Sequence, residues 1–406
     1  MKLVLFHDDL ALRWSPFVET RPVGELLFGV CTLRERAARA LGAEPAAYAG
    51  APWLVGFDEP GAPPTADVPP IAPDARIFLC ARAAVDAPAA PLDGRVPATL
   101  AIGGRTVGWI VPAGAPAPGT DAMRALGPAA GAGVLELPGR LLERPWHLMA
   151  ENAARIAADV EVEGEADRSG ALHAGVHRIG AHRVILEEGA EIEPGVVLDL
   201  RAGPIWLARA ARAEAPARLA GPLYLGAGST ILGGPVGGSS IGPACKVRGE
   251  VADSVLTGYC NKAHDGHLGH ALLGRWVNLG AGTTNSDLKN TYGAIRVRLP
   301  EGDVDTGLIK VGSFLGDHVK TGIGTPLNTG AVIGAGSNVY GGRMPPPYVP
   351  PFSWGEGTEL VDYQIERFLS TAATAMKRRN VELSDRMREV LGRAWERSQS
   401  ERKSRT

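Results

Sequence analysis

The second half of the chain carries an inward-type residue at every sixth position. Between 309 and 339 these residues are Ile309, Leu315, Thr321, Leu327, Ile333 and Val339. Leu273 and Leu279 keep the same phase, and Leu186, Ile192 and Leu198 form an earlier block. A period of six fits neither an α-helix nor a simple strand. It is typical of a coil in which each group of six residues supplies one short strand and one tight turn, so we predict a left-handed parallel β-helix over 179–342.

The first part of the chain lacks this period. Short apolar runs at 3–6, 53–55 and 76–79 predict strands, and residues 24–41 have helical spacing. Strands that alternate with helices indicate a Rossmann-like α/β domain with a mainly parallel sheet, which we place at 1–145.

Two further segments complete the predicted organisation. Residues 146–178 hold a linker helix and a connection into the coil. Prolines after Val339 predict the end of the coil, because proline cannot continue a hydrogen-bonded ladder. Residues 343–406 then form a Pro-rich stop followed by a C-terminal α-helix.

Composition supports two folded domains and excludes several classes. Gly (53) and Pro (32) are abundant and aromatic residues are only 6%, yet 45% of the residues are apolar, which excludes a disordered chain. The formal charge of −2 gives no basic excess for nucleic acid. Four cysteines without a Cys-x-x-Cys pair, and the absence of a long apolar run, favour a soluble, cytoplasmic protein with no membrane span.

Residues 258–270 depart from the six-residue period and hold three of the nine histidines. Three interpretations remain open for them. Cys260, His264, His267 and His270 would form a metal site, although residues six apart on a coil point to different faces. Alternatively the histidines are polar loop residues, or one of them is a general base, a role that suits histidine near neutral pH.

The segments Lys262-Ala-His264 and Asn278-Leu-Gly-Ala-Gly-Thr283 carry a resemblance. They resemble the acetyltransferase half of the bifunctional UDP-N-acetylglucosamine pyrophosphorylase/glucosamine-1-phosphate N-acetyltransferase family. There a Lys-Ala-Gly-His segment lies fourteen residues before Asn-Ile-Gly-Ala-Gly-Thr, and His264 and Asn278 have the same spacing. Phe6-His-Asp-Asp9, Thr20-Arg-Pro-Val-Gly-Glu25 and Asn285-Ser-Asp-Leu-Lys-Asn290 extend the resemblance to divergent bacterial GlmU-like proteins.

The resemblance implies a set of site residues in the coil. His264 is the implied general base that takes a proton from the sugar amine as this amine attacks acetyl-CoA, with Asn278 and His267 beside it. The implied binding residues for substrate are Lys246, Arg248, Asn285 and Lys289. The implied contacts to acetyl-CoA are Gly280, Ala281 and Gly282, whose backbone N–H groups would also stabilise the thioester oxyanion.

The N-terminal domain departs from the usual nucleotidyltransferase pattern. The glycine-rich phosphate loop is replaced by His7-Asp-Asp-Leu-Ala-Leu-Arg13, and glycine normally lets a backbone approach phosphate closely. We expect Arg13 and Arg21 to supply charge to phosphate, and Asp8, Asp9 and Asn152 to hold Mg²⁺ if this domain is active.

These observations predict a transferase of sugar-nucleotide metabolism, most simply a homotrimer. It would transfer an acyl group from acetyl-CoA to an amino-sugar-1-phosphate or nucleotide-sugar, and its first domain would form a nucleotide-sugar from a nucleoside triphosphate and a sugar-1-phosphate. Two alternatives stay open: a nucleotidyltransferase whose coil only assembles trimers, and a non-catalytic nucleotide-sugar-binding protein.

Overall fold

The computed structural model describes residues 1–128, 132–162 and 172–403. The chain forms two compact units. Unit 1 comprises Met1–Leu26, Cys31–Arg144 and Ser384–Ala394. Unit 2 comprises Leu27–Val30, Pro145–Leu383 and the residues from Trp395 onward. The predicted boundary near 145 therefore lies within one residue of the division, whereas the two short exchanged segments were not foreseen.

Unit 1 is built on a six-stranded sheet. Its strands are β1 (Lys2–Phe6), β4 (Glu44–Ala49), β5 (Arg76–Cys80), β7 (Ala98–Ile102), β8 (Arg105–Val111) and β9 (Gly133–Glu136), in the order β4-β1-β5-β8-β7-β9. β1 runs parallel to β4 and β5, but β8 is antiparallel to β5 and β7. The α/β domain is confirmed, and its sheet is mixed rather than mainly parallel.

The remaining elements of the first 144 residues are short. They are β2 (Leu27–Phe28), β3 (Cys31–Thr32), β6 (Ala83–Val85), β10 (Gly139–Leu141), α1 (Leu33–Leu41), α2 (Thr120–Ala125) and 3₁₀ turns at Ala11–Arg13, Val23–Glu25 and Pro52–Leu54. The helix expected over 24–41 thus begins only at Leu33, where Thr32 and Glu35 form a reciprocal capping box. The strand expected at 53–55 is wrong, because Pro52 starts a 3₁₀ turn there.

The predicted linker helix consists of two helices in unit 2. They are α3 (Pro145–Ala150) and α4 (Asn152–Val162), and the connection over 163–171 lies outside the described residues. Two side chains of α4 bind the segment 27–30. The amide oxygen of Asn152 accepts the N–H of Gly29 at 3.0 Å, and Asp159 accepts the N–H of Val30 at 3.0 Å. These bonds explain why four residues of the N-terminal region belong to unit 2.

The coil of unit 2 consists of three parallel sheets. The first contains β11 (His177–Ile179), β14 (Val197–Asp199), β17 (Ala217–Ala220), β20 (Gly234–Gly237), β23 (Val251–Ala252) and β26 (Leu268–Gly269). The second contains β12 (Val184–Leu186), β15 (Ile205–Leu207), β18 (Leu223–Leu225), β21 (Ser240–Ile241), β24 (Val255–Gly258), β27 (Leu272–Arg275), β32 (Phe314–Leu315), β35 (Val332–Ile333) and β37 (Tyr348–Val349). The third contains β13 (Glu191–Ile192), β16 (Arg212–Ala213), β19 (Thr230–Ile231), β22 (Lys246–Val247), β25 (Asn261–Lys262), β28 (Asn278–Leu279), β33 (Lys320–Thr321), β36 (Asn338–Tyr340), β38 (Ser353–Glu356) and β39 (Glu359–Asp362).

A continuous aliphatic core fills the coil. Its buried members are Ala, Val, Ile, Leu and two Cys, without an aromatic ring. Leu256, Leu273 and Leu315 stack on one another in the second sheet, and each is fully buried. The six-residue prediction is confirmed at Leu315, Leu327, Ile333 and Val339, but Ile309 is 59% exposed and lies outside the coil.

Ile309 belongs to an excursion between β28 and β32. This excursion carries β29 (Thr284–Asn285), which pairs with β34 (Pro326–Leu327), and an antiparallel hairpin of β30 (Arg296–Leu299) and β31 (Gly302–Asp305). Leu273 stacks on Leu315, 42 residues later, rather than on a residue 18 later. The extra length is a multiple of six, so the phase in the sequence survives although the chain leaves the coil.

The coil extends beyond the prolines that were expected to end it. β37 pairs in parallel with β35, and β38 with β36, which adds one more coil after residue 342. β39 then pairs antiparallel with β38. The single C-terminal helix is likewise replaced by α5 (Ile365–Lys377), α6 (Asp385–Arg397) and α7 (Gln399–Lys403). None of the helices in the described ranges is long and apolar enough to cross a membrane.

The aliphatic column gives a direct test of the fold. Leu273→Ala removes a fully buried side chain between Leu256 and Leu315, and a cavity of this kind costs about 2–5 kcal/mol of unfolding free energy. Ile323→Ala is the matched control, since Ile323 lies in the same coil but is 79% exposed. Urea unfolding followed by circular dichroism should show a clear loss for the first variant only. Equal midpoints for both variants would contradict the assigned interior.

Candidate functional site

A buried lysine connects two of the predicted site residues. Lys262 stands opposite Val247 in the third sheet, at a position that points into the coil, and is 2% exposed. Its ammonium donates to the carbonyl oxygens of Arg248 and His264, each at 2.7 Å. Burial lowers the pKa of Lys262 to about 8, although Asp265 opposes this shift. Lys262 therefore fixes the backbone of both residues at one corner of the coil.

His264 is exposed at this corner. The Arg248 guanidinium is about half exposed, donates to the carbonyl oxygen of Leu232 at 3.2 Å, and lies 3.5 Å from Asp265. The structure thus brings His264 and Arg248 to the same corner, as predicted.

Two other histidines are more tightly organised than His264. The Nδ1 atom of His270 lies 2.7 Å from Asp287, and its Nε2 atom lies 3.7 Å from Asp253. His267 lies 3.3 Å from Glu250 through Nδ1 and 3.9 Å from Asp287 through Nε2. A carboxylate that holds one ring nitrogen fixes the orientation of the other, which is the usual arrangement of a catalytic histidine.

The metal interpretation of this segment is not supported. Within the described ranges no group of three or more His, Cys, Asp or Glu residues could hold a metal ion. Cys260 is buried in the coil core, and its thiol is directed to the carbonyl oxygens of Gly258 and Gly274.

Asn285 and Lys289 were predicted to bind substrate, but both make internal contacts. The Asn285 amide is 5% exposed and bonds the N–H and the carbonyl of Gly269, each at 2.8 Å. The Lys289 ammonium donates to the carbonyl oxygen of Ala294 at 2.6 Å. Asn285 therefore anchors the excursion to the coil, because both ends of its amide are already used.

The turn at 280–282 has few free backbone donors. Gly280 donates its N–H to the carbonyl of Thr321, and Gly282 donates to the carbonyl of Asp265, both at 3.1 Å. The N–H of Ala281 has no such partner in the part of the chain that the structure describes. Of the three predicted oxyanion donors, only Ala281 therefore keeps a free N–H.

A cavity of about 570 Å³ lies in unit 2 against the outward face of the third sheet. The strand register places Lys246, Asn261, Asn278 and Lys320 side by side on this face, and all four line the cavity. The amide of Asn261 donates to the side-chain oxygen of Asn278 at 2.9 Å. Lys246 and Asn278 are thus brought together as predicted, whereas His264 does not line this cavity.

The loop after β1 in unit 1 is held by its own side chains. His7 is fully buried; its Nε2 accepts the N–H of Val23 at 3.1 Å, so its Nδ1 donates to the carbonyl of Ala49 at 3.0 Å. Burial also lowers the pKa of His7, which keeps this ring neutral. Both oxygens of Asp8 bind Arg82, with a shortest distance of 2.6 Å.

The predicted Mg²⁺ residues do not form a set of free oxygens. Asp8 is paired with Arg82, Asp9 contacts Arg124 at 3.4 Å, and the amide oxygen of Asn152 accepts from both Gly29 and Ser240. Asp8 and Asn152 also belong to different units. These residues do not fit a magnesium ion as they stand, and Asn152 serves as an anchor of α4.

The two arginines predicted to contact phosphate differ. Arg21 is fully buried and makes a two-bond ion pair with Glu59 at 2.9 and 3.0 Å, so it stabilises the fold of unit 1. Arg13 is exposed at the end of a 3₁₀ turn and remains accessible to a ligand.

Sequence reasoning missed Lys320, Arg378 and Arg379, which line the cavity, and the carboxylate of Asp287. Lys320 follows the pattern of an ordinary surface position beside Thr321. Its neighbour Asn278 was identified, but the excursion hides that the two stand opposite each other. Lys262 was detectable, since a charged residue there occupies an inward position.

The buried Lys262 predicts a pH dependence of stability. Its pKa is about 8 in the folded chain and near 10.5 when unfolded. Between these values the unfolded state holds the proton more tightly, so the penalty for the buried charge is present below pH 8 and is relieved above it. Relative to Lys262→Met, the wild type should therefore gain up to about 2 kcal/mol from pH 7 to pH 9.5. Urea unfolding of both proteins at the two pH values measures this, and a constant difference would contradict it.

Comparison with known proteins adds an independent finding. Residues 3–166 match a family model described as sugar nucleotidyl transferase. A curated protein of Sulfurisphaera tokodaii, a bifunctional sugar-1-phosphate nucleotidylyltransferase/acetyltransferase, is 32% identical over 95 residues, which are 23% of this chain and 24% of that protein. The chain therefore spans about a quarter of the length of this curated relative.

A solved structure is also similar to this chain. The Arabidopsis UDP-N-acetylglucosamine acyltransferase is 12% identical over 52% of this chain and 80% of its own, with a TM-score of 0.25. This score is too low to support a functional argument. The family match covers most of unit 1 and the helices that follow it. The chain thus carries a sugar nucleotidyl transferase-like domain, followed by a parallel β-helix.

Proposed function

We propose that this protein is a transferase of sugar-nucleotide metabolism whose coil transfers an acyl group from acetyl-CoA to an amino-sugar-1-phosphate or a nucleotide-sugar. The observation that carries the proposal is the combination of a sugar nucleotidyl transferase match over 3–166 with a β-helix whose cavity gathers cationic and amide side chains. The printed description of the curated relative joins the same two activities. Phosphorylated substrates require such cationic groups.

The reaction places definite demands on the coil. The amine nitrogen of the sugar attacks the thioester carbonyl, the carbon–sulfur bond breaks, and the amine loses a proton to a base while the thiolate leaves. His264 is the proposed base, since its position fourteen residues before Asn278 supports this role and the carbonyls held by Lys262 fix its backbone. The free N–H of Ala281 is the proposed donor to the oxyanion.

His270 is the competing base. Its contact with Asp287 fixes its ring, an advantage that His264 lacks. The two histidines lie on opposite sides of β26, so separate substitutions distinguish them.

A second activity, formation of a nucleotide-sugar from a nucleoside triphosphate and a sugar-1-phosphate, is favoured by the match over 3–166. The exposed Arg13 is the phosphate contact that remains open for this reaction. If the coil only assembles the protein, this second activity would occur without any dependence on His264.

One assay matrix tests these proposals. Sugar-1-phosphates, amino sugar phosphates and nucleotide-sugars are each incubated with acetyl-CoA or with nucleoside triphosphates and Mg²⁺. Acyl transfer by the wild type should fall about 100-fold or more in His264→Ala, because a positioned base supplies at least this factor. His177→Ala is the matched control, since His177 is an exposed histidine at the start of the same coil.

The outcomes separate the alternatives. Loss in His270→Ala with full activity in His264→Ala would move the base to His270. Nucleotidyl transfer unchanged by both substitutions, without acyl transfer, would favour the assembly role of the coil. Ligand binding without turnover of any pair would favour the non-catalytic protein.

A further inference from the structure

The cavity on the third sheet has one charged wall made by the end of α5. Arg378 and Arg379 follow the last turn of this helix and line the cavity together with Lys246 and Lys320 of the sheet. Arg379 donates to the carbonyl oxygen of Ala244 at 3.1 Å, which fixes the end of the helix over the sheet.

The charge of this cavity is one-sided. Four of the described lining residues are cationic, and none is acidic. The chain as a whole has a formal charge of −2, so the cluster does not follow from an excess of basic residues. Cations gathered without counter-charges repel one another, and a bound anion removes this repulsion.

Lys320 is the member least able to remain as it is. Its pKa falls to about 8 because burial removes water from the ammonium. In the part of the chain that the structure describes, the ammonium has no hydrogen bond or ion pair to offset that loss. An ammonium shielded from water and left unpaired is costly, and a phosphate oxygen would supply the missing partner.

Neutral donors accompany the charges. Because Asn261 donates to the side-chain oxygen of Asn278, the NH₂ group of Asn278 keeps its own donors for a ligand. The volume of about 570 Å³ exceeds what a single phosphate fills and lies within the range of small-molecule sites. Several negative charges close together are needed to use three or four cations.

We propose that this cavity binds the diphosphate of a nucleotide-type ligand, with Lys246, Lys320 and Arg378 as its cationic contacts. The inference deepens the proposed function and rests on it for the identity of the ligand. Two substrates of the proposed function carry this chemistry, the nucleotide-sugar and coenzyme A. The binding site itself follows from the lining residues alone.

Isothermal titration of the full-length protein with UDP, coenzyme A and inorganic pyrophosphate tests the proposal. Lys320→Met should weaken binding of the preferred ligand about tenfold or more, since it removes a charge-assisted hydrogen bond without changing the length of the side chain greatly. Lys310→Met is the control, because Lys310 is exposed and does not line the cavity.

A second pair guards against misfolding. Arg378 is exposed, so Arg378→Gln should preserve the fold and still weaken binding, whereas Lys377→Gln, one residue away and outside the cavity, should not. Tighter binding of UDP identifies the nucleotide-sugar as the ligand, and tighter binding of coenzyme A identifies the acyl donor; both support the proposal.

Absence of wild-type binding to all three probes would overturn the proposal. Equal affinities in Lys320→Met, Arg378→Gln and their controls would overturn it as well. Both measurements are made without turnover, so a protein that binds in a Lys320-dependent manner yet transfers no acyl group would contradict the proposed function and leave this site standing.

Discussion

The structure of unit 2 depends on burying one continuous column of aliphatic side chains in a space too narrow for aromatic rings. Each strand contributes one or two inward residues, and parallel hydrogen bonds hold the next strand directly above it. Because the inward residues are fixed, the outward residues of successive coils must also align. Lys246, Asn261, Asn278 and Lys320 become neighbours in this way, although 74 residues separate the first from the last.

Unit 1 uses a different means of order. Its motif residues are consumed by buried pairs: Asp8 with Arg82, Arg21 with Glu59, and Glu25 with Arg34 and Tyr48. Buried charges are tolerated only when paired and hydrogen-bonded, so these contacts fix the loops against the sheet. Polar residues that look available for phosphate in the sequence are therefore part of the framework, and Arg13 is the exception that stays accessible.

The sequence predicted the coil well because its period is a property of local spacing. Leu315, Ile333 and Val339 could be placed inside from their positions alone. The end of the coil could not, because Tyr348–Val349 and Ser353–Glu356 pair with strands one coil earlier despite the prolines around them. Likewise, Asn278 could be identified from a motif, whereas its neighbour Lys320 depends on pairing across an excursion. Side chains such as Asn285 and Arg21 looked like ligands in the sequence, since nothing local reveals a distant partner.

The excursion between β28 and β32 has a consequence for how such coils change in length. A segment inserted in whole units of six leaves every later residue facing the same way, whereas one extra residue would turn the inward column outward along the remaining coils. The hairpin of β30 and β31 is therefore an interchangeable module. Loops of other lengths and chemistries can replace it at this point, provided that they return the chain to the coil in the same phase, and the rest of the coil would keep its register.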